Sequence, residues 1–436
     1  MTEPRRAPAG YLPMLAGLIG FFSLTLLALL DVRRGVLFAE YPVRTFFCVF
    51  NPWHVPMLAL GAAGMYACYR GLRRLDARLP DTSRYLNLLT LMLVALLVID
   101  LFAYRGVPTA RSMASGRLAV DWLGAFGVSG WGRPFAQATS FLLNVWHATM
   151  LGILLSGLAL AVLPAYLASY VTRAGFTGSL FGAMFALPQP FCSCCSSVMA
   201  PSFVRRGAST TFLLSFIVGA PMLNVTTMVL ALSLLPAPFA MTRIVSGLVV
   251  TVLVTYLVAR IAHRWEGAHR SPRERERTPG SGWLQRAGGL YLRLFDLDTI
   301  VGHRRLETPS QLVGAWLRAS GRIGLALVPT LWAWSVVASA IFHALPSAFG
   351  NNLTSVVLSA VVGTFFMIST WSEIPMALQL IQSGFSGPAA ALLVVLPAIS
   401  LPCMMLLAGA LQRFRLVALL SVGVMIAGIA AGALFL

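Results

Sequence analysis

Long apolar runs, separated by short polar and arginine-rich segments, dominate the chain. Nine of the runs have about 20 residues or more, the length that an α-helix needs to cross the hydrocarbon core of a bilayer. They cover residues 11–30, 46–69, 85–104, 138–163, 208–234, 238–262, 320–345, 388–411 and 415–436. Because backbone in lipid must satisfy its own hydrogen bonds, the pattern predicts an all-α polytopic membrane protein.

Two further apolar segments, at about 178–203 and about 354–382, do not fit a simple spanning helix. Each is too short to cross the membrane twice, and each returns to a polar turn. We therefore predict that both segments form re-entrant hairpins.

The composition points to lipid as the solvent of this chain. It is 58% hydrophobic and 11% charged, yet it has 32 basic and 14 acidic residues and a formal charge of +18. In a soluble protein this charge would suggest nucleic acid, but here the arginines cluster in the loops. Most fall on the side of the N-terminus, which the positive-inside rule makes cytoplasmic. We expect a bilayer partner, no nucleic acid, and location in the bacterial cytoplasmic (inner) membrane, with residues 11–30 retained as an anchor rather than cleaved.

The last three hundred residues contain a weak internal repeat. Placing 185–224 over 362–400 aligns Gly207 with Gly384 and, after a one-residue gap, Pro221 with Pro397. Each half then has a span, a hairpin, a glycine turn, a proline-broken span and a last span. The arginine distribution puts the two hairpins on opposite sides of the membrane. This predicts two inverted repeats with re-entrant hairpins plus an N-terminal three-span extension. The expected domains are residues 1–137 (extension), 138–262 (repeat 1), 263–311 (polar cytoplasmic linker) and 312–436 (inverted repeat 2).

The strongest local signal lies in the first hairpin, where residues 188–197 have the sequence Pro-Gln-Pro-Phe-Cys-Ser-Cys-Cys-Ser-Ser. Because two prolines interrupt a helix, we expect Cys192, Cys194 and Cys195 on irregular backbone at membrane depth. Thiolates bind soft metals and trivalent metalloids, and Cys192 and Cys194 can converge in a tight turn. An isolated buried cysteine is commonly mere packing, but three thiols in four positions favour a ligand role.

The broken span that follows has Met222 and Asn224 behind Pro221. The thioether, the amide and carbonyls freed by the proline can face a passing solute. Alternatively, the proline only kinks the helix and Asn224 bonds a neighbouring helix. The sequence leaves both interpretations open.

In the second half, Glu373 follows the position that matches the cysteines, within an apolar stretch. A carboxyl in a membrane segment is costly and is a candidate functional residue, here a proton-coupling group, unless it lies at the surface or pairs with an arginine. Cys403, in the following proline-broken span, is a candidate sulfur ligand or a packing residue. His147 either faces the first hairpin or is a satisfied core histidine. Asp100 and His54 lie in or near the extension, where no spacing indicates a site.

These motifs resemble a known family. The run from 187 to 224, with Pro-x-Pro-x-Cys-Ser-Cys, Arg-Arg-Gly-Ala-Ser and Pro-x-x-Asn, is similar to bacterial predicted permeases, a family that includes trivalent organoarsenical efflux permeases and copper and zinc export relatives. Pro375-x-Ala377 and Gly384-x-Ser386 resemble its other repeat. The resemblance covers about 138–262 and 312–436. It implies that Cys192 and Cys194 are the family's cysteine pair and that Asn224 is its Pro-x-x-Asn element.

The sequence therefore predicts a secondary transporter, not an enzyme, that exports a thiophilic solute. The solute is a soft metal ion or a trivalent (organo)arsenical, bound by Cys192, Cys194 and Cys195, with release coupled to protons at Glu373. No cofactor is expected, because phosphate-binding loops and hydrolase motifs are missing from the sequence. A second copy of the chain is a further candidate partner. Two alternatives stay open, which are import of a sulfur-containing anion and membrane thiol-disulfide exchange through the Cys192-x-x-Cys195 spacing.

Overall fold

A computed structural model describes most of the chain. The described residues are 10–77, 82–115, 130–166, 171–188, 193–198, 200, 203, 207–269, 306–343, 350–366, 373–411 and 413–436. The predicted linker at 263–311 falls largely outside them.

Within these residues the chain forms sixteen α-helices and one small antiparallel pair of strands. The N-terminal elements are α1 (Tyr11–Arg34), β1 (Val43–Arg44), β2 (Val49–Phe50), α2 (His54–Asp76), α3 (Ser83–Ser115) and α4 (Arg133–Tyr166). The central elements are α5 (Gly175–Ala186), α6 (Ser193–Val198), α7 (Thr210–Leu223), α8 (Val225–Leu234), α9 (Ala237–Leu248), a π-helical turn (Val249–Val254) and α10 (Thr255–His269). The C-terminal elements are α11 (Pro309–His343), α12 (Leu353–Phe365), α13 (Glu373–Gln382), α14 (Ser386–Ala398), α15 (Leu401–Leu411) and α16 (Phe414–Ala433).

The prediction of an all-α polytopic membrane protein is confirmed. In the described part of the chain, seven helical stretches are long and apolar enough to cross a bilayer: Tyr11–Arg34, Ser83–Tyr104, Arg133–Ala159, Thr210–Leu234, Ala237–Arg264, Ser386–Met405 and Phe414–Ala433. Of the nine predicted spans, 46–69 and 320–345 are not among them. Residues 320–343 of the second belong to α11, which is 35 residues long.

The predicted span at 46–69 is wrong at its start, because the structure has a strand and a turn where a helix was expected. β1 pairs with β2, and α2 begins only at His54. Pro52 disfavours helical backbone at Asn51, and the Asn51 side chain accepts a hydrogen bond from the Trp53 amide at 3.0 Å. This turn chemistry delays the helix although the residues before it are apolar.

The described chain divides into two compact units. Unit 1 contains residues 1–121, 143–163 and 298–324, and unit 2 contains 122–142, 164–297 and 325–436. The helices α4 and α11 each contribute residues to both. The predicted domain boundaries at 137, 262 and 311 stay predictions, because compactness does not report on an internal repeat.

Unit 1 is tied together by buried polar pairs. His54 lies 2.6 Å from Asp31, and His147 lies 3.0 Å from Asp100, with these side chains almost fully buried. The Asn51 amide donates to Nδ1 of His54, so the proton of this ring lies on Nε2, towards Asp31. These pairs satisfy polar groups inside apolar helices, as buried polar groups require.

In unit 2, both proline-broken spans are interrupted as predicted. The helix α7 ends at Leu223, Asn224 is extended (φ −61°, ψ 139°), and α8 starts at Val225. In the second half, α14 ends at Ala398 and α15 starts at Leu401, with Ile399 extended. A proline has no N–H for the carbonyl four residues earlier, which weakens the last turn before each break.

Small residues let the helices of unit 2 approach closely. Gly428 and Gly432 of α16 have the spacing of a helix-packing motif, and they face α14. A Cβ atom at Gly432 would lie 2.8 Å from the carbonyl oxygen of Gly387. The stripe therefore holds the broken helix α14 against an unbroken neighbour.

The two segments predicted as hairpins each contain two short helices, α5 with α6 and α12 with α13. The residues that connect them, 189–192 and 367–372, are outside the described part. Each segment is followed by a glycine turn in the left-handed region, Gly207 with φ +76° and Gly384 with φ +83°. The matching turns agree with the alignment of the halves, while the re-entrant course and the inversion stay predictions.

Candidate functional site

The cysteine segment is only partly described. Cys192 lies outside the described residues, and for Cys194 and Cys195 the description covers the backbone. That backbone is helical in α6, so the expectation of irregular backbone at these two positions is wrong. No proline interrupts residues 193–198, and the hydroxyls of Ser196 and Ser197 bond back to the Ser193 carbonyl at 3.0 and 2.7 Å, a pattern compatible with a helix.

The thiol of Cys403 is directed at this same helix. Its Sγ atom lies 2.7 Å from Oγ of Ser197 and 3.3 Å from the carbonyl oxygen of Ser193. Cys403 is buried, and these two contacts flank Cys194 and Cys195 along the chain. The second half of the chain thus brings a sulfur atom to the segment that carries the cysteine cluster.

The Ser196 hydroxyl links α6 to the proline-broken helix. Its Oγ atom lies 3.1 Å from the carbonyl oxygen of Ile217, so its single proton is shared between this acceptor and the Ser193 carbonyl. Ile217 is four residues before Pro221, so its carbonyl is the one that the proline leaves without an amide donor. The break in α7 therefore supplies a free acceptor to the cysteine-bearing helix.

Asn224 and Met222 occupy the break itself, and both are buried. The Asn224 side-chain oxygen accepts from the amide and from the hydroxyl of Thr227, each at 2.8 Å, and its NH2 group donates to the Ala220 carbonyl at 3.1 Å. Asn224 is thus the N-cap of α8. These bonds favour a structural role, and a direct contact of either residue with a solute stays a prediction.

Arg243, on α9, completes the site and was missed in the sequence. Its side chain is 2% exposed, and its Nη1 atom donates to the Met222 carbonyl at 3.0 Å. Nη2 approaches the Pro221 carbonyl at 3.3 Å, and Nη1 lies 3.5 Å from the Met222 sulfur. These carbonyls belong to the last turn of α7, the helix end where the backbone dipole favours a positive charge.

Glu373 is the partner of this arginine. Its carboxylate lies 3.6 Å from Nη2 of Arg243, and its side chain is buried. It is the first residue of α13, where the helix dipole favours a negative charge. Glu373 is therefore not at the surface but pairs with an arginine, which was the structural alternative to a proton-coupling role. The proton-coupling role stays a prediction.

The charge pair, Arg243 with Glu373, is buried, and its two helices belong to an apolar cluster. The cluster of buried residues joins α8 and α9 to α13 and α14: Leu230, Ala231, Leu235, Phe239, Ala240, Ile374, Ala377, Ala389, Ala390 and Leu393. Moving a charged group into such surroundings costs several kcal/mol per ion, so both charges depend on each other and on the helix ends. Ionisable residues inside membrane segments commonly mark solute or ion pathways.

The second break carries an unusual polar group. Ser400, between α14 and α15, is 1% exposed, and its hydroxyl has no hydrogen-bond partner among the described residues. Its carbonyl accepts from the Met404 amide at 2.8 Å, so the backbone of α15 is satisfied. His147 pairs with Asp100 in unit 1 through Nε2, while its Nδ1 atom has no hydrogen-bond partner among the described residues, so both interpretations of this histidine stay predictions.

The described residues contain no group of three or more His, Cys, Asp or Glu side chains that could hold a metal ion. The thiols of Cys192, Cys194 and Cys195 lie outside the described part of the structure. That part of the ligand prediction stays a prediction.

Unit 2 has broken helices next to a buried charge pair, and the described chain has seven helices of membrane length. These features are typical of a multi-pass membrane protein of the transporter class. A model of the family described as "Predicted permease" matches residues 134–436. The chain belongs to this predicted permease family. It is 31% identical to the UPF0718 protein YraQ of Escherichia coli (strain K12) over 317 residues, which cover 70% of this chain and 82% of that protein. No solved structure matches the chain.

Proposed function

We propose that this permease is a secondary transporter of the bacterial inner membrane that exports a thiophilic solute, a soft metal ion or a trivalent (organo)arsenical. The observation that carries the proposal is the position of Cys403. Its thiol contacts Ser193 and Ser197, on either side of Cys194 and Cys195. The second half of the chain thus brings a thiol to the helix whose backbone includes Cys194 and Cys195. Sulfur is the ligand that soft metals and metalloids prefer.

Glu373 supplies a group that can couple the transport to protons. It is a buried carboxyl at the start of a short helix, and its ion pair reaches the break between α7 and α8 through Arg243. Protonation of Glu373 weakens that ion pair and so frees the end of α7 to rearrange. A change of access to the site can follow from this rearrangement.

Flux in everted membrane vesicles tests the proposal. Vesicles with the wild type are expected to accumulate methylarsenite, arsenite, Zn²⁺ or Cu⁺, and a Cys192→Ser/Cys194→Ser variant is expected to lose that accumulation. Cys68→Ser is the matched control, because Cys68 is a buried free cysteine of unit 1. Equal flux of all four solutes in the wild type and the double variant would end the proposal.

One observation favours the second candidate, transport of a sulfur-containing anion. Arg243 places a guanidinium in the core of unit 2, next to the helix break. A cationic side chain at such a position attracts anions and repels bare metal cations. Reversing the gradient of radiolabelled thiosulfate across the vesicles separates import from export.

A further inference from the structure

The donors of Arg243 are not all used. Nη1 and Nη2 reach the carbonyls of Met222 and Pro221 and the carboxylate of Glu373, but Nε has no hydrogen-bond partner among the described residues. An unpaired buried N–H group is uncommon in folded proteins and costs free energy. A guanidinium has five donors in a planar fork that matches the oxygen atoms of anions. The leftover donor is therefore free to bind a further acceptor.

The charge balance of the pair changes when Glu373 takes up a proton. With Glu373 ionised, the pair is neutral and the guanidinium is compensated. With Glu373 neutral, the guanidinium keeps its charge, because arginine is not deprotonated in proteins. A lone buried cation is strongly unfavourable, so the protonated state needs another negative charge beside Arg243.

The described helices that share a buried cluster with α13 do not supply that charge. They are α8, α9 and α14. Neither α8 nor α14 has an ionisable side chain in its sequence, and the charge that α9 places there is Arg243. The compensating charge must then come from outside these helices, and a solute in the transport pathway can bring it.

We propose that Arg243 is the anion-binding residue of this permease, and that the solute binds there as an anion together with one proton on Glu373. The ligand class is a soft anion, either a sulfur-containing anion or an anionic thiolate adduct of a metal or metalloid. This proposal rests on the proposed function in one respect only, which is that the protein is a transporter. Deprotonation restores the Arg243–Glu373 pair and expels the anion, so the proton and the anion move in the same direction. An inward proton gradient then drives uptake of the anion, as in the second candidate function, and not its export.

Binding to the purified protein tests this, with thiosulfate and thiocyanate as probes and calorimetry as the readout. Above the pH at which Glu373 ionises, the wild type is expected to lose about tenfold in affinity per pH unit, because one proton binds with each anion. It is also expected to take up one proton per anion, measured with a pH indicator in weak buffer. Glu373→Gln should bind at all pH values as tightly as the wild type does in acid.

The double variant Arg243→Met/Glu373→Gln removes both charges and is expected to bind neither probe. Arg415→Met is the matched control, since Arg415 is exposed at the start of α16, and it should bind like the wild type. Binding by the double variant at wild-type affinity, a persistent pH slope in Glu373→Gln, or no binding of either probe to the wild type would each overturn the proposal. Because Glu373→Gln retains Arg243, its pH profile decides the matter even where the double variant does not fold.

These results separate the inference from the proposed function. If methylarsenite flux depends on Cys192 and Cys194 while the double variant still binds thiosulfate, the anion site is wrong and thiophile export stands. If the pH-linked binding of thiosulfate depends on Arg243 while the cysteine variants transport normally, the anion site stands and thiophile export is wrong.

Discussion

Replacing Glu373 by glutamine should destabilise the protein, because it leaves the buried charge of Arg243 without its ion-pair partner. At 3.6 Å and an effective dielectric constant of about 20, the attraction within the charge pair is roughly 4–5 kcal/mol. Removing one partner of a buried pair commonly costs about 3–5 kcal/mol, because the remaining charge is left uncompensated. Glutamine keeps the size of the side chain, so packing changes little. We expect Glu373→Gln to lower the free energy of unfolding by about 3–5 kcal/mol.

A second substitution should reverse much of that loss. In Arg243→Met/Glu373→Gln no charge remains buried, and replacing a buried pair by neutral groups is often close to neutral in stability. We therefore expect a coupling free energy of roughly 3 kcal/mol between the two positions. Arg415→Met, which alters an exposed arginine, should change stability by less than about 0.5 kcal/mol.

Thermal unfolding in detergent measures these changes with a thiol-reactive fluorogenic dye. The buried cysteines Cys68 and Cys403, neither of which is in a disulfide, become reactive when the protein unfolds. For a chain of this size the expected loss in Glu373→Gln corresponds to a midpoint shift on the order of 5 °C. The reasoning is refuted if Glu373→Gln unfolds at the wild-type temperature, or if the double variant is as unstable as the single one.

Three further predictions concern stability and use the same dye assay. Asn224→Ala should cost about 1–3 kcal/mol, because α8 loses its N-cap and the Thr227 groups lose an acceptor; an unchanged midpoint would show that the cap is dispensable. Gly384→Ala should cost roughly 1–2 kcal/mol, since its φ of +83° is unfavourable for a residue with a Cβ atom; no loss would mean that this turn can relax. His147→Phe should cost about 1–3 kcal/mol by leaving Asp100 without its partner. Adding Asp100→Leu should restore most of that loss, and failure to do so would point to packing of the imidazole instead.

The breaks in the helices could be predicted because their cause is local. A proline removes one backbone donor whatever surrounds it, so Pro221 and Pro397 indicated interrupted helices from sequence alone. The turns at Gly207 and Gly384 could be located for the same reason, since a glycine between two apolar helices favours left-handed backbone.

The start of α2 shows where an apolar run misleads. Hydropathy alone extends the span back to residue 46, because the residues before the turn are apolar. The Asn51-Pro52 turn instead imposes extended backbone, and the apolar residues before it form β2. Turn chemistry prevailed over hydropathy here.

Of the two residues in the charge pair, Glu373 was singled out from the sequence and Arg243 was not. Glu373 stood out as an acid in an apolar segment, and Arg243 carried the same signal, because it is an arginine inside the predicted span 238–262. An arginine near the end of a predicted span also indicates topology, and the sequence alone does not separate the two roles. That the two side chains meet depends on how α9 packs against α13, a tertiary contact that local sequence does not encode.

Transport by Glu373→Gln tests most directly the claim that this charge pair couples the permease to protons. Proteoliposomes allow two modes to be compared with radiolabelled thiosulfate and with methylarsenite, namely exchange at equal pH and net transport driven by a pH gradient. The wild type is expected to perform both. The variant is expected to retain exchange and to lose the pH-driven component, because its side chain no longer exchanges a proton. A pH-driven flux in the variant equal to that of the wild type would contradict the account.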